Sequence, residues 1–109
     1  MKKAISIFVL ILFPVFCFGQ WVQLGNSING QISGDGCGNS TAISADGYTV
    51  AAGSSRSSIS FPNAGQVRVF GYTNGSWNQV GADINGESSG DQTGQSVSLS
   101  SDGSILAIG

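Results

Sequence analysis

The 109 residues contain no histidine, and charged side chains make up only 9% of them. Without an imidazole, Ser-His-Asp and Cys-His nucleophiles and histidine metal sites are excluded. Positive charge is scarcer still. Lys2 and Lys3 stand at the very start, which leaves Arg56 and Arg68 as the only basic residues beyond it. That is far too little to hold a phosphate backbone, so nucleic acid is not expected as a partner. There are two cysteines, Cys17 and Cys37. Cys17 falls in the leader described next, so Cys37 has no partner and no disulfide framework can form. Cys37 reads as a small residue in a turn. Helical periodicity appears nowhere after residue 19.

Met1-Lys2-Lys3, then the apolar run Ala4–Phe18 and a terminal Gly19, have the charged start, short greasy middle and small last residue of a signal peptide. Residues 1–19 are assigned to it, with cleavage before Gln20. The run is 15 residues long and interrupted by Pro14, whereas a spanning helix needs about 20. Lipidation at Cys17 is disfavoured by the bulk of Phe16 just before it. The expected product is secreted or held at the cell surface, with no membrane span after cleavage. Its two arginines face six acids, a net charge of −4.

The remaining chain repeats itself. Residues 77–109 align without a gap on residues 21–53, an offset of 56, and 16 of the 33 pairs are identical. The conserved pairs are mostly Gly, Asp, Asn, Ser and Trp, the residues that set turns and anchor strands. In Ser96-Val97-Ser98-Leu99-Ser100 apolar and polar residues alternate with the period of a strand. Ser101-Asp102-Gly103 then supplies a turn before Ile105-Leu106-Ala107-Ile108, a run expected to be covered on both faces. Ser40–Gly53 is the earlier copy of this hairpin.

One period holds four strands, at about Ser40–Ser44, Thr49–Gly53, Gln66–Tyr72 and Ser76–Gly81, preceded by a short strand at Trp21–Gly25. A repeated four-stranded antiparallel meander of this length implies an all-β fold, a β-propeller with blades of about 56 residues. Residues 20–109 would then be an incomplete repeat region of roughly one and a half blades, with repeat 1 at about 21–76 and repeat 2, truncated, from 77. Trp21 and Trp77 open the outer strands and read as packing residues. A meander sends alternate turns to opposite ends. The tight turns at Asp46-Gly47 and Asn74-Gly75 therefore share one end, and the long connections Ser54–Ala64 and Asn85–Gly94 share the other.

Recognition is expected at the long-loop end, because binding surfaces are commonly built from loops on a rigid scaffold. Arg56, Ile59 and Phe61 on the first loop and Asp83 and Glu87 near the second are the candidate ligand-binding residues. Phe61 reads equally well as an interface anchor and as a cap on the blade. Asp35, Asp46, Asp91 and Asp102 recur in pairs and read as structural turn residues whose carboxylates cap backbone N–H groups. Each Asp-Gly turn carries one carboxylate where a calcium loop needs several converging oxygens. No cofactor is expected, and at most weak calcium binding near Asp83, Glu87 and Asp91.

The pattern Gly-x-Ser-Val-Ser-Leu-Ser-x-Asp-Gly-x-x-Leu-Ala-Ile-Gly at 94–109, with Gly65-Gln66-Val67-Arg68-Val69-Phe70 and the Trp77–Gly86 segment, resembles repeats of secreted bacterial proteins that are similar to the FG-GAP blades of integrin α subunits. The resemblance spans 21–109. It implies an extracellular, non-catalytic propeller that takes part in adhesion or binds a protein or carbohydrate ligand, although the acidic calcium cluster of FG-GAP blades is missing. A propeller-scaffolded enzyme acting on extracellular polysaccharide, with catalytic residues outside this stretch, is the alternative. A structural surface-layer protein is a third reading.

Overall fold

The computed structural model describes residues 19–109. The leader assignment falls almost wholly on residues 1–18, outside the described residues. The described part is all-β, with antiparallel sheets and no helix. No helix among the described residues is long and apolar enough to cross a membrane.

β1 (Ser40–Ile43), β2 (Thr49–Ser54), β3 (Gln66–Thr73) and β4 (Ser76–Gln79) form an up-and-down sheet in chain order. Its boundaries fall close to the sequence expectation, because the turn residues dictate where each strand stops. Asn74 and Gly75 both take left-handed backbone, with φ of 51° and 82°, as a two-residue hairpin turn requires. β5 (Ile84–Asn85) also pairs with β3. Phe70 lies opposite Gln79 and Val67 opposite Ile84, so the β4–β5 side is longer than the β3 segment it flanks. A bulge at 80–83 takes up the difference, with Gly81 at φ 74°.

β6 (Val97–Leu99) and β7 (Leu106–Ile108) make a second, two-stranded sheet, and β6 packs across β1 and β2. Side chains alternate accordingly. Ser40 and Ala42 are half-buried toward β6, whereas Thr41 and Ile43 on the opposite face are exposed. The core is small: Ala51, Ala52, Ala64, Val67 and Phe70. Close approach replaces bulk, because a Cβ on Gly53 would lie only 2.1 Å from Gly94 O.

Residues 56 apart make the same bonds. Ser44 Oγ donates to Asp46 Oδ1 at 2.7 Å and Ser100 Oγ to Asp102 Oδ1 at 2.8 Å. Thr49 N donates to Ser44 Oγ at 3.1 Å and Ile105 N to Ser100 Oγ at 2.9 Å. Gly38 N reaches Gly53 O at 3.0 Å, and Gly94 N reaches Gly109 O at 2.9 Å.

Three local expectations are corrected. Trp21–Gly25 is not a strand: it meets the β3–β4 hairpin through side chains, Trp77 N donating to Asn26 Oδ1 at 2.7 Å and Trp77 Nε1 to Leu24 O at 2.7 Å, and not through a backbone ladder. Trp21 is fully exposed rather than packed. The contacts that hold Trp77, namely Tyr72 at a ring separation of 5.2 Å and the bond from Nε1 to Leu24 O at 2.7 Å, have no counterpart around it. The run 105–108 is covered on one face only, with Ile105 68% exposed. Among the described residues β7 has one neighbouring strand, β6. Coverage of both faces is realised in β2, where Ala51 to Ser54 are all buried.

Candidate functional site

The two long connections emerge at the same end of the main sheet and lock together. Gly90 N donates to Pro62 O (2.9 Å), Gln92 N to Asn63 O (3.1 Å) and Thr93 N to Ala64 O (2.8 Å), and Ser60 Oγ reaches Gly86 O at 3.1 Å. Gly65 and Gly86 let the backbones touch, since a Cβ on either would meet the neighbouring backbone at 2.2 and 2.0 Å. Asn63 and Gln92 both hold left-handed backbone, with φ of 52° and 53°. Such conformations are kept only where surrounding bonds over-determine them.

The first loop is also tied at its base. Ser55 N bonds Asn39 Oδ1 at 3.0 Å, Arg56 N bonds Asp35 O at 3.1 Å, and Gly65 N bonds Ser57 O at 3.0 Å. With its ends fixed, the loop presents residues 58–63 outward as a short exposed arch. Ile59 and Phe61 stand on this arch, 43% and 48% exposed. Arg56 is exposed at its base, with Nε set over Gly36 where a Cβ would come within 3.3 Å. Glu87 is exposed on the adjoining loop. Four of the five candidate residues therefore sit on the two interlocked loops.

Asp83 stands apart, half-buried on the bulge. Its Oδ1 accepts from Gln79 Nε2 at 2.7 Å, and its Oδ2 accepts from Gln31 and Gln66 Nε2, each at 3.3 Å. This carboxylate ties the bulge, β3 and the segment before β1 together. Gln66, with no exposed surface, also donates to Asn85 Oδ1 at 3.0 Å.

The turn aspartates have the geometry of caps. Asp35, 4% exposed, accepts from Gln31 N (3.0 Å), Ile32 N (3.4 Å) and Cys37 N (2.9 Å). Burial pushes its pKa up, but those three N–H groups and the charge of Arg68 outweigh it and hold the carboxyl below its ordinary value. Asp91 repeats the pattern with Glu87 N at 3.1 Å and Ser88 N at 2.9 Å. Ser104, through its hydroxyl and its N–H, together with Ser100 Oγ, lowers Asp102 to about 2. The Ser44 hydroxyl and the Tyr48 N–H lower Asp46 as well. Among the described residues no group of three or more His, Cys, Asp or Glu converges as a metal site would require.

Arg68 is a feature the sequence reading did not single out. It is 7% exposed and lies on the side of β3 shared with Gln66 and Phe70. Its Nη2 donates to Asn29 O at 2.5 Å and approaches Cys37 Sγ at 3.5 Å, and its Cζ stands 5.2 Å from the Phe70 ring centroid. Period-2 alternation places Arg68 on the Phe70 face, so a covering segment could have been anticipated there. That cover is the irregular stretch before β1. Comparison of the chain with known protein families, curated proteins and solved structures finds no match.

Proposed function

We propose that this chain is a secreted or cell-surface β-propeller module that binds a protein or carbohydrate ligand, without catalysing a reaction, through its long-loop end. One observation carries the reading. Two loops bonded to each other and to the sheet hold an exposed aromatic, an aliphatic side chain, an arginine and an acid on one rigid end. Such an end loses little freedom on binding, because its backbone is already ordered. Aromatic and arginine side chains are the commonest anchors of such contacts. The propeller part of the reading is supported by the face-to-face packing of hairpins that are 56 residues apart.

The test is binding of the chain to an array of immobilised bacterial and plant polysaccharides and extracellular-matrix proteins, beside Phe61→Ala and Arg56→Ala. Selective binding that weakens about tenfold or more with Phe61→Ala, on the scale of a lost anchor, is the expected result. Binding to nothing on the array, or binding indifferent to both substitutions, overturns this assignment of the face.

A further inference from the structure

We propose that Cys37 is a thiol-exchange site for small anionic disulfides, with Arg68 at its sulfur and Arg56 over the adjoining glycine supplying the charge that draws them. Arg68 carries the inference. It is 7% exposed, and its hydrogen bonds among the described residues go to Asn29 O and, at 3.5 Å, to Cys37 Sγ. Its buried Nε has no partner. A buried cation is costly unless an opposite charge or a full set of acceptors answers it. The Asp35 carboxylate feels this charge, but its oxygens are taken up by the N–H groups of Gln31, Ile32 and Cys37. The Cys37 sulfur is the group in contact with Arg68 that can gain negative charge.

The turn holds that sulfur in place and leaves it approachable. Cys37 is half-buried and carries a free thiol. Its N–H is fixed by Asp35 Oδ1 at 2.9 Å, and the flanking backbone by Asn39 N on Gly36 O at 2.9 Å and Gly38 N on Gly53 O at 3.0 Å. On one side the Arg56 guanidinium lies across Gly36, where Nε, Nη2 and Cζ would stand 3.3, 3.5 and 3.8 Å from a Cβ. On the other, nothing among the described residues lies within 4 Å of a Cβ on Gly38. Arg56 and Arg68 are the only basic residues in the described part of the chain, and both stand against this one turn. Thr93 occupies the same place in the second copy of the repeat, so the turn itself does not require a sulfur.

In the exchange the thiol proton goes to water and the Cys37 sulfur, as thiolate, attacks one sulfur of the disulfide. The S–S bond of the reagent breaks, an S–S bond to Cys37 forms, and the other half departs as a thiolate. Negative charge is spread over three sulfurs while this happens, and a fixed guanidinium 3.5 Å from one of them stabilises it. Carboxylates on the reagent are drawn by Arg56. The favoured occupants are therefore low-mass disulfides that carry carboxylates. A free thiol reverses the step by attacking the mixed disulfide and restoring Cys37. The site stands independently of the ligand-binding reading above.

The experiment compares the rates at which the purified chain is thiolated by dithiobis-nitrobenzoate, a dianionic disulfide, and by cystamine, a dicationic one. Intact mass and peptide mapping assign the adduct, with Cys37→Ser as the blank for Cys17. The ratio of anionic to cationic rate in the folded chain is expected to exceed that of the same chain unfolded in urea by about tenfold. The net charge of the whole chain, −2, predicts the opposite preference. Arg56→Gln, at an exposed position, is expected to lower the ratio about threefold, the scale of an exposed ion pair, and Arg68→Met to abolish the preference. A ratio cancels changes in exposure, so loosening of residues 24–36 in Arg68→Met does not imitate the effect. Arg56→Gln decides the matter if Arg68→Met loses its β signature in circular dichroism. Adducts at Cys37 confined to the unfolded chain, a folded ratio no higher than the unfolded one, or a ratio that both arginine variants leave unchanged overturns the proposal.

Discussion

Gly53→Ala isolates the close approach on which the two hairpins depend. Gly53 is not among the residues with left-handed backbone, so alanine fits its conformation. On that ground alone the substitution would stabilise by about 0.4–1 kcal/mol through the unfolded chain. Space decides the opposite. The new Cβ would stand 2.1 Å from Gly94 O, 2.3 Å from Ser40 Oγ and 3.0 Å from Gly94 C. Ser40 Oγ can swing away, but the Gly94 backbone cannot without moving β6. Overpacking of this kind costs about 1–3 kcal/mol, and the Ser40–Gly94 hydrogen bond contributes about 1 kcal/mol more. The net expectation is a loss of about 2–3 kcal/mol, a large share of the 5–15 kcal/mol typical of a domain. Urea unfolding at one fixed protein concentration measures it. Gly109→Ala is the control, because its Cβ meets the movable Ser96 Oγ at 2.3 Å and otherwise nothing closer than 3.7 Å, and it is expected within about 0.5 kcal/mol of the parent. A Gly53→Ala chain as stable as the parent, or one matched by Gly109→Ala in its loss, would refute the reasoning.

Asp35→Ala leaves the N–H groups of Gln31, Ile32 and Cys37 without their acceptor in a part-buried turn and is expected to destabilise by about 2–3 kcal/mol. Asp91→Ala, in the exposed counterpart, is expected to cost about 1 kcal/mol in the same unfolding assay. Asp102 is held at about 2 against 3.8 for an unperturbed aspartate. Its contribution to stability is therefore complete above pH 3.8 and fades as pH falls toward 2. Ser104→Ala removes the largest cause of the shift, so its carboxyl titration followed by NMR should move back toward 3.8. Arg68→Ala cuts the tie to Asn29 O. A charge-assisted bond of about 1.5–3 kcal/mol corresponds to at least about tenfold faster protease cleavage between 24 and 36, with β1 to β4 remaining intact. Unchanged cleavage would mean that Tyr72 and Trp77 hold the segment without Arg68.

Much of the sheet was legible because its signals are local. The Asp-Gly and Asn-Gly turns fix where strands end, and alternation in Ser96–Ser100 fixes which side chains share a face. The 56-residue offset likewise forecast that Asp46 and Asp102, and Asp35 and Asp91, would do the same work. The meander then placed both long connections at one end, since each antiparallel strand reverses the chain. Tertiary structure decided what depends on neighbours. Trp21 and Trp77 occupy the same place in the repeat, yet only Trp77 finds Tyr72 and Leu24 beside it. Asp83 reads as a free acid in sequence, but the bulge between β4 and β5 turns it toward three glutamines. Arg68, one polar letter in an alternating strand, became a buried tether because an irregular segment folds over it. Spacing along the chain encodes strands, turns and faces, whereas burial and bonding partners are set by which surfaces meet, and that is fixed only when the hairpins pack.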